Sequence, residues 1–354
     1  MRVEIGSPEE LLKHFIEVEK QVYSGNSFWS PKSIEEYAYL FSLEDPYLNR
    51  GERELVVCFN SEGQPVARCV VQFDNESARA FGKKTGFFSF FEALDQPDAA
   101  KLLFQTGFQW FLQREITHVV GPMSPKITDA RGLLLEGEGT PTIGMPFNPV
   151  YYSRLLEGCG FKKMSDMYEF VITLSTSYKV IDLIAKKVQR TNQDLRVRYL
   201  ESGQVEKDIQ LISEMYNKAW RENSGFIPIQ SEEMMYSTRP LLDQMQPDWV
   251  GFLEDNGKVM GFRFLVPNYN DLLKGEKIES YRAIFIGILP EYRNQGMDSL
   301  IFSDIIHNFC PKYGVKKIHI AWVVESNKKW IKELKRLGGK NTEIKSYRIF
   351  ERSL

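Results

Sequence analysis

The sequence has few cysteines and no excess of charge of either sign. The 354 residues include four widely separated cysteines and four histidines, with no Cys-x-x-Cys pair. This excludes a disulfide framework, argues against a metal site and favours reduced thiols in the cytoplasm. The 45 Lys and Arg residues nearly balance the 47 Asp and Glu residues. Such a balance argues against a protein that mainly binds nucleic acid, which would carry a strong basic excess.

Long apolar segments are also missing. Runs such as residues 283–289 have the length of a strand, whereas a membrane helix needs about 20 apolar residues. The first five residues already include Glu4, and no apolar signal region follows. We therefore expect a cytoplasmic protein without a transmembrane segment, one that could still act on a lipid at a surface. The composition is that of a globular chain, 43% hydrophobic and 26% charged, and the length suits two domains.

An internal repeat indicates that the two domains have the same fold. Five positions of the first half recur 179 residues later: Asn148, Tyr151, Leu155, Gly160 and Tyr168 match Asn327, Trp330, Leu334, Gly339 and Tyr347. Residues 117–120 match 318–321 at an offset of 201, so the first copy carries an insertion of 22 residues within 121–147. Such self-similarity is typical of duplication.

Each copy shows the same order of predicted elements. A strand and a helix come first, then a hairpin, a strand leading into a second helix, another strand and helix, and a last strand. We predict an α/β (α+β) chain of two domains, each a mixed twisted sheet flanked by helices. The first domain covers residues 1–175, a connecting helix covers 176–192, and the second domain covers 193–354. Local signals include Ser7 as a helix cap with Glu10, and a hairpin turn at 255–257.

The most informative segment is residues 284–300. A buried strand stops at Pro290, and a short polar loop leads directly into a helix. Free backbone N–H groups and the helix dipole make such a helix start an anion site. Gly296 would let the backbone approach a phosphate closely, and Arg293 could add positive charge.

This loop resembles the coenzyme A loop of the GNAT superfamily of acyl-CoA-dependent N-acyltransferases. Arg293 and Gly296 match the family's Arg-x-x-Gly, whereas Asp298 stands where the family has a small residue. Residues 322–327, Trp-Val-Val-Glu-Ser-Asn, resemble the family's next strand and helix start. The resemblance covers both halves, so the chain looks like a tandem GNAT protein. It is similar to a branch of bacterial tandem proteins that includes members thought to acylate amino groups of lipids.

The resemblance implies acetyl-CoA or a longer acyl-CoA as a substrate, with no metal, bound by the second copy. The implied contacts are Ile288, Leu289, Arg293, Asn294, Gln295, Gly296, Met297, Asp298, Ser299, Asn327 and Trp330. A carboxylate at position 298 costs about 1 kcal/mol when it lies about 4 Å from a phosphate in water-like surroundings, and about 4 kcal/mol at an effective dielectric of 20. The orientation of Asp298 therefore decides how well the loop can bind.

Two residues are candidates for catalysis. Amide formation from a thioester needs a neutral amine and a proton for the leaving thiolate. Glu325, at the end of an apolar strand, could accept the amine proton through water, or could simply cap the following helix. The family usually supplies the proton from a Tyr in that helix, but here the position holds Leu334. The next tyrosine is Tyr347, which could donate the proton or could pack in a sheet.

The first copy is predicted to have lost the cofactor site. At the offset of 201, residues 293–298 correspond to 92–97, Glu-Ala-Leu-Asp-Gln-Pro. That segment has no glycine and two carboxylates, so it should repel a pyrophosphate. The first copy would instead form one wall of the substrate cavity, with the insertion at 121–147 as the nearest loop.

These patterns predict an N-acyltransferase that transfers an acyl group to a primary amine. The acceptor, a small molecule or a lipid amine, would lie in the cleft between the copies, and contact with a lipid surface is open. The alternative is a non-catalytic GNAT-fold binding protein with a decayed coenzyme A site. Use of aminoacyl-tRNA fits the near-neutral charge least well. The protein would be a monomer or a homodimer.

Overall fold

The computed structural model describes residues 1–82, 84–174, 178–223, 225–275, 277–339 and 342–354. The chain divides into two compact units. Unit 1 consists of Met1–Tyr168 together with Lys345–Leu354, and unit 2 consists of Glu169–Ile344. The last ten residues therefore fold with unit 1, although the repeat predicts them in the second domain. The predicted boundary between residues 175 and 176 lies outside the described residues, and the domain ranges stay a prediction.

The N-terminal half, up to the unit boundary, has seven strands and five helices in the described ranges. The strands are Arg2–Gly6 (β1), Gly51–Phe59 (β2), Pro65–Asp74 (β3), Thr85–Ala93 (β4), His118–Gly121 (β5), Leu133–Glu136 (β6) and Lys162–Thr173 (β7), the last of which continues into unit 2. The helices are Pro8–Val22 (α1), Ile34–Leu40 (α2), Asn75–Ala80 (α3), Pro97–Leu112 (α4) and Tyr152–Gly158 (α5).

The rest of the chain repeats much of this order. Its strands are Leu195–Tyr199 (β8), Val250–Asp255 (β9), Lys258–Pro267 (β10), Ser280–Ile288 (β11), Lys317–Val324 (β12) and Glu343–Ser353 (β13). Its helices are Lys179–Thr191 (α6), Val205–Trp220 (α7), Ser231–Leu242 (α8), Met297–Asp304 (α9), Cys310–Tyr313 (α10) and Lys328–Gly338 (α11). A π-helical segment, Ile305–Phe309, joins α9 to α10.

The two units have the same sheet topology. In unit 1 the strand order is β1-β2-β3-β4-β5, with antiparallel neighbours until the parallel pair β4/β5. In unit 2 the order is β12-β11-β10-β9-β8, and the parallel pair is β11/β12. Beside β5, unit 1 is completed by the end of the chain, because Phe350 of β13 pairs antiparallel with Gly121. The mixed sheet with flanking helices predicted for each copy is confirmed.

Local sequence signals produce the expected elements. The Glu10 carboxylate accepts a hydrogen bond from the Ser7 N–H at 3.0 Å, so α1 begins as predicted. The turn between β9 and β10 consists of Asn256 and Gly257, both with positive φ, as a two-residue hairpin of this type requires. In unit 1, aromatic side chains of β4 and α4 form the core, where Phe88 and Phe104 meet edge to face at 5.0 Å.

The state of the cysteines and the character of the helices follow from the described part of the chain. All four cysteines are buried free thiols. Within the described ranges, no helix has both the length and the apolar content that crossing a membrane requires.

Candidate functional site

In unit 2 the parallel strands β11 and β12 separate before they end. Their paired register runs from Ser280↔Lys317 to Ala283↔Ile320. Strand β11 continues to Ile288, still paired with Gly261 of β10, and β12 continues to Val324. Beyond residue 283, β11 thus has β10 on one side and an opening on the other. The loop with the predicted anion site follows directly from the end of β11.

The loop itself has the backbone shape of an anion-binding turn. The Leu289 N–H donates to the Met260 carbonyl at 2.8 Å, which holds the end of the strand, and a short turn of 3₁₀ helix covers Pro290–Tyr292. Asn294 and Gly296 both have positive φ, 62° and 77°, before α9 begins at Met297. Alternating φ of this kind turns successive N–H groups toward one side, where they and the helix dipole favour an anion.

The side chains of the loop are arranged differently from the predicted cradle. Arg293 Nε donates to the Ile288 carbonyl at 3.1 Å, and a terminal nitrogen of Arg293 donates to the Ala219 carbonyl. The guanidinium therefore ties the loop to the end of α7. Ser299 Oγ donates to the Gly296 carbonyl at 2.6 Å, and Gln295 Nε2 donates to the Glu291 carbonyl at 2.9 Å. These side chains stabilise the loop's own shape.

An apolar groove of about 410 Å³ lies next to the loop. Three helices of unit 2 contribute to its lining. Its lining residues include Val180, Ile181 and Ile184 of α6, Ser299 and Phe302 of α9 with Gly296 before it, and Trp330, Leu334 and Leu337 of α11. Asp298, exposed in the first turn of α9, also borders the groove. The groove thus lies directly beside the start of α9, where the anion site is predicted.

Gly296 is essential to how α6 packs against this loop. A Cβ atom at Gly296 would lie 2.8 Å from Ile184 Cγ2 and 3.2 Å from Val188 Cγ2. In this structure, side chains of α6 therefore occupy the space over Gly296 that the sequence assigns to a phosphate. The sequence predicts α6 only as a connecting helix. Its apolar residues 181, 185 and 188 nevertheless have the spacing of a packed helix face, and this signal could have predicted the contact.

The residues after β12 lie near the same groove. Asn327 caps α11, since its Oδ1 accepts a hydrogen bond from the Trp330 N–H at 3.2 Å. The Trp330 ring packs against Phe302, with centroids 5.9 Å apart. Lys329 Nζ donates to Asn294 Oδ1 and so links α11 to the loop. Glu325 is half-buried in the turn between β12 and α11.

Tyr347 lies in the other unit. It is buried in β13, where it pairs with Leu134 of β6. His319 is buried on β12, and its Nδ1 lies 2.7 Å from Glu169 Oε1. The structure thus brings Gly296, Asp298, Ser299 and Trp330 together around one groove, and Asn327 caps the helix that carries Trp330. The functional role of each stays a prediction.

The first copy differs from the prediction at the corresponding loop. Glu92 and Ala93 lie inside β4, which stays paired with β3 as far as Ala67↔Ala93. The Leu94 N–H donates to the Val66 carbonyl at 2.9 Å, as Leu289 does to Met260 in unit 2. Only residues 95–96 then precede α4, whereas residues 290–296 separate Leu289 from α9. The segment 92–97 is therefore not a loop, and the connection is too short to form the same turn.

Glu92 belongs instead to a buried ionisable cluster in unit 1. Tyr152 Oη donates to Glu92 Oε2 at 2.6 Å, and Tyr23 Oη lies 2.9 Å from the same oxygen. Arg68 lies between two carboxylates, 3.2 Å from Glu19 and 3.9 Å from Glu92. Burial raises the pKa of Glu92 to about 7, against the opposing effect of Arg68.

A protonated Glu92 also satisfies the hydrogen bonds of this cluster. Tyr23 Oη lies 2.7 Å from the Phe147 carbonyl, which can only accept, so the single tyrosine proton is used there. The contact between Tyr23 and Glu92 then needs a proton on the carboxyl group. With that proton, the charges of Glu19, Arg68 and Glu92 sum to zero, which lowers the cost of burying them.

Comparisons with known proteins place this geometry in a class. No protein-family model matches the chain. It is 24% identical over 378 residues to a protein named bacterial ceramide synthase from Caulobacter vibrioides, covering 99% of this chain and 97% of the relative. Among solved structures, a tandem GNAT protein from the clavulanic acid biosynthesis pathway superposes with a TM-score of 0.59 at 8% identity, covering 99% of this chain and 98% of that one.

A GCN5-related N-acetyltransferase from Sphaerobacter thermophilus superposes with a TM-score of 0.55 at 13% identity, covering 99% of this chain and 95% of that one. The chain has the fold of the GCN5-related N-acetyltransferases, in its tandem form. The predicted tandem GNAT fold is therefore confirmed, and the prediction of an N-acyltransferase agrees with the names of these relatives.

Proposed function

We propose that the chain transfers an acyl group from an acyl-CoA to a primary amine, with the acyl-CoA held by unit 2. The observation that supports this most strongly is the continuity of three features: the opening between β11 and β12, the loop at 293–299, and the apolar groove. A thioester of coenzyme A has the matching parts: an anionic pyrophosphate, an extended polar arm and an apolar acyl chain.

The loop would bind the pyrophosphate through backbone groups. Asn294 and Gly296 turn the backbone, and the N–H groups at the start of α9 point outward with the positive end of the helix dipole. Because Arg293 is bound to the Ile288 and Ala219 carbonyls, its contribution is to hold the turn in shape. Ile288 and Leu289 precede this turn, and Gln295, Met297, Asp298 and Ser299 surround it, so they remain the proposed contacts.

The pantetheine arm would run along the free edge of β11 toward Asn327 and Trp330. Aligned backbone amides at a strand edge offer hydrogen bonds to the amides of such an arm. The apolar groove lined by Phe302, Leu334 and Leu337 would then accept acyl carbons. Removing each CH₂ group from water contributes about 0.8 kcal/mol, so a long acyl chain should bind more tightly than acetyl.

The chemical step forms one bond and breaks one bond. The amine nitrogen attacks the thioester carbonyl carbon, the C–N bond forms, and the C–S bond breaks. We propose that Glu325, at the end of β12, takes the proton that the nitrogen loses, directly or through a water molecule. The leaving thiolate takes up a proton from water, and a role for Tyr347 stays a prediction from the sequence alone, because Tyr347 is buried in β13 of unit 1. A carboxylate is suited to the first role because an ammonium group must lose its proton before it can attack.

The acceptor that we propose is a lipid carrying a primary amine. A relative that covers almost the whole chain is named a ceramide synthase, and the groove in unit 2 is apolar. The test measures release of free thiol from palmitoyl-CoA and acetyl-CoA, each with a long-chain amino alcohol and with a small amine such as glucosamine. We expect the fastest release with the long-chain pair. Absence of release with every pair would contradict the proposal.

A second candidate function is a GNAT-fold binding protein that carries out no transfer. Asp298 beside the groove and Ile184 over Gly296 favour it, because both oppose a phosphate at the loop. The two candidates differ in one variant. A Glu325→Gln protein should bind acyl-CoA normally in either case, but it should lose at least tenfold in thiol release only if the chain is an enzyme.

A further inference from the structure

Helix α6 has a second apolar stripe, which is largely exposed. One side of α6 is buried through Ala185 and Val188. Next to that side, Val180, Leu183 and Ile184 are 56%, 69% and 41% exposed, and Val180 and Ile184 also line the groove. Their spacing of three and four residues places them on one face of the helix. Leu183 is therefore a large apolar side chain held in water.

Exposed cations surround this stripe. Helix α6 carries four of them, Lys179, Lys186, Lys187 and Arg190. Its one carboxylate, Asp182, is hydrogen-bonded to His307 Nε2 at 2.7 Å, which leaves the cations without an acid on their own helix. A helix with apolar side chains between cations is typical of peripheral membrane surfaces, where it lies in the plane of the interface.

Helix α11 extends the positive charge across the groove. It carries five exposed cations, Lys328, Lys329, Lys332, Lys335 and Arg336. Its single carboxylate, Glu333, is 3.2 Å from Arg336. Both helices line the same groove, whose lining includes Lys179 of α6 and Arg336 of α11 together with the carboxylates of Asp298 and Glu333. The chain as a whole has a net charge of −2, and this surface is therefore a local concentration of positive charge.

We propose that this surface, formed by the exposed faces of α6 and α11, docks on a bilayer that contains anionic phospholipid. Charge complementarity selects the partner, since cations near an anionic leaflet each contribute about 1 kcal/mol. The apolar stripe supplies the second component, insertion of Val180 and Leu183 among the acyl chains. Neither contribution alone gives stable binding, which is why both should be needed.

The docking surface and the groove share residues. Val180, Ile184 and Arg336 line the groove and also belong to α6 or α11. Docking would therefore place the mouth of the groove at the membrane interface, where a lipid substrate could reach it without crossing water. This rationale rests on the proposed function, whereas the docking itself needs no acyl-CoA and can be tested without it.

The test is co-sedimentation of the full chain with vesicles of phosphatidylcholine alone and with phosphatidylglycerol added. We expect binding only with the anionic vesicles, and a loss of binding as salt rises. Leu183→Glu should weaken it at least tenfold. The matched control is Leu43→Glu, because Leu43 in unit 1 is 73% exposed and should tolerate the same change with less than a twofold effect.

A second pair of variants tests whether the positive charge of α6 itself is required for docking. Lys186→Glu with Lys187→Glu should abolish binding, whereas Lys13→Glu with Lys20→Glu on α1 makes the same change of charge and should not. Circular dichroism establishes that each variant is folded. No binding of the unaltered chain to anionic vesicles would overturn the proposal. Binding that depends on the lysines but not on Leu183 would also overturn it, because electrostatic attraction alone would then account for the binding.

Discussion

The two units follow the same order of strands but differ where the parallel pair begins. In unit 2, residues 290–296 form a turn with two positive φ angles between β11 and α9. In unit 1, Leu94 ends the strand in the same way as Leu289, but only residues 95–96 remain before α4. A cradle of backbone N–H groups needs the longer turn. The short connection of unit 1 therefore cannot form the turn that carries the proposed anion site, although the strand order of the two units is the same.

The residues near the end of β4 in unit 1 form a buried hydrogen-bonded cluster, whereas a polar loop follows β11 in unit 2. Glu92 there forms hydrogen bonds with Tyr23 and Tyr152, in a cluster that also contains Arg68 and Glu19. Unit 2 has Gly287 near the end of β11, where Trp220 packs against the backbone. One copy therefore keeps an open polar loop, and the other has a closed hydrogen-bonded core.

The largest expected effect comes from Gly296→Glu, which should lower the affinity for acetyl-CoA at least 100-fold. A side chain at this position meets Ile184 at 2.8 Å, requires a residue with φ of 77°, and places a negative charge at the proposed pyrophosphate site. The matched control is Gly257→Glu, because Gly257 has a similar φ of 81° and nothing within 4 Å. Calorimetric titration should show loss of binding only in the first variant. Equal losses would mean that backbone strain, not the site, is responsible.

In unit 1, the corresponding experiment concerns stability. The pKa of Glu92 in the folded chain, about 7, lies above its ordinary value of 4.5, so the folded protein holds a proton that the unfolded chain loses. The free energy of unfolding should therefore fall as pH rises from about 4.5 to 7 and level off above that, by about 3 kcal/mol at most from this group. Glu92→Gln should flatten that decline, as measured by urea unfolding at pH 5 and pH 8.

Glu92→Gln also tests whether unit 1 takes part in binding acetyl-CoA. Because the proposed coenzyme A site lies in unit 2, Glu92→Gln should leave the affinity for acetyl-CoA unchanged at both pH values. A decline in stability as steep as that of the unaltered chain would show that Glu92 titrates normally. A loss of affinity would show that unit 1 takes part in binding.

A smaller effect is expected from Asp298→Asn, which should strengthen acetyl-CoA binding about fivefold. Removing a carboxylate about 4 Å from a phosphate gains about 1 kcal/mol in water-like surroundings, and Asp298 is exposed. Asp95→Asn provides the control, since Asp95 is the acidic residue of the short connection in unit 1 and contacts Arg154. A gain in affinity with Asp95→Asn would contradict the assignment of the site to unit 2.

Much of the fold follows from local patterns. The cap at Ser7 and the turn at Asn256 and Gly257 depend on residues a few positions apart, and the structure confirms both. The repeat also predicts that both copies share one sheet topology. The prediction that Glu92 lies in a loop was wrong because the offset of 201 was applied across a connection that is shorter in the first copy. The repeat has few identical residues, so the sequence alone does not show this difference in length.

The details of the site depend on contacts between distant residues. Arg293 is bound to Ala219, which lies 74 positions away, and Gly296 is covered by Ile184 of α6. The short loop motif contains no information about either partner. The position of Tyr347 in unit 1 is similar, because the last strand folds with the first unit rather than with its own copy. Motifs therefore predicted the loop and its class, but not the contacts of its side chains.

The number of acyl-CoA sites tests the central claim most directly. Acetyl-CoA is titrated calorimetrically into the full chain, and the stoichiometry is determined along with the affinity. The account predicts one site per chain, which Gly296→Glu removes. Two sites per chain, or one site that survives Gly296→Glu, would contradict the assignment of the cofactor to unit 2, and no binding at millimolar concentration would contradict the proposed function.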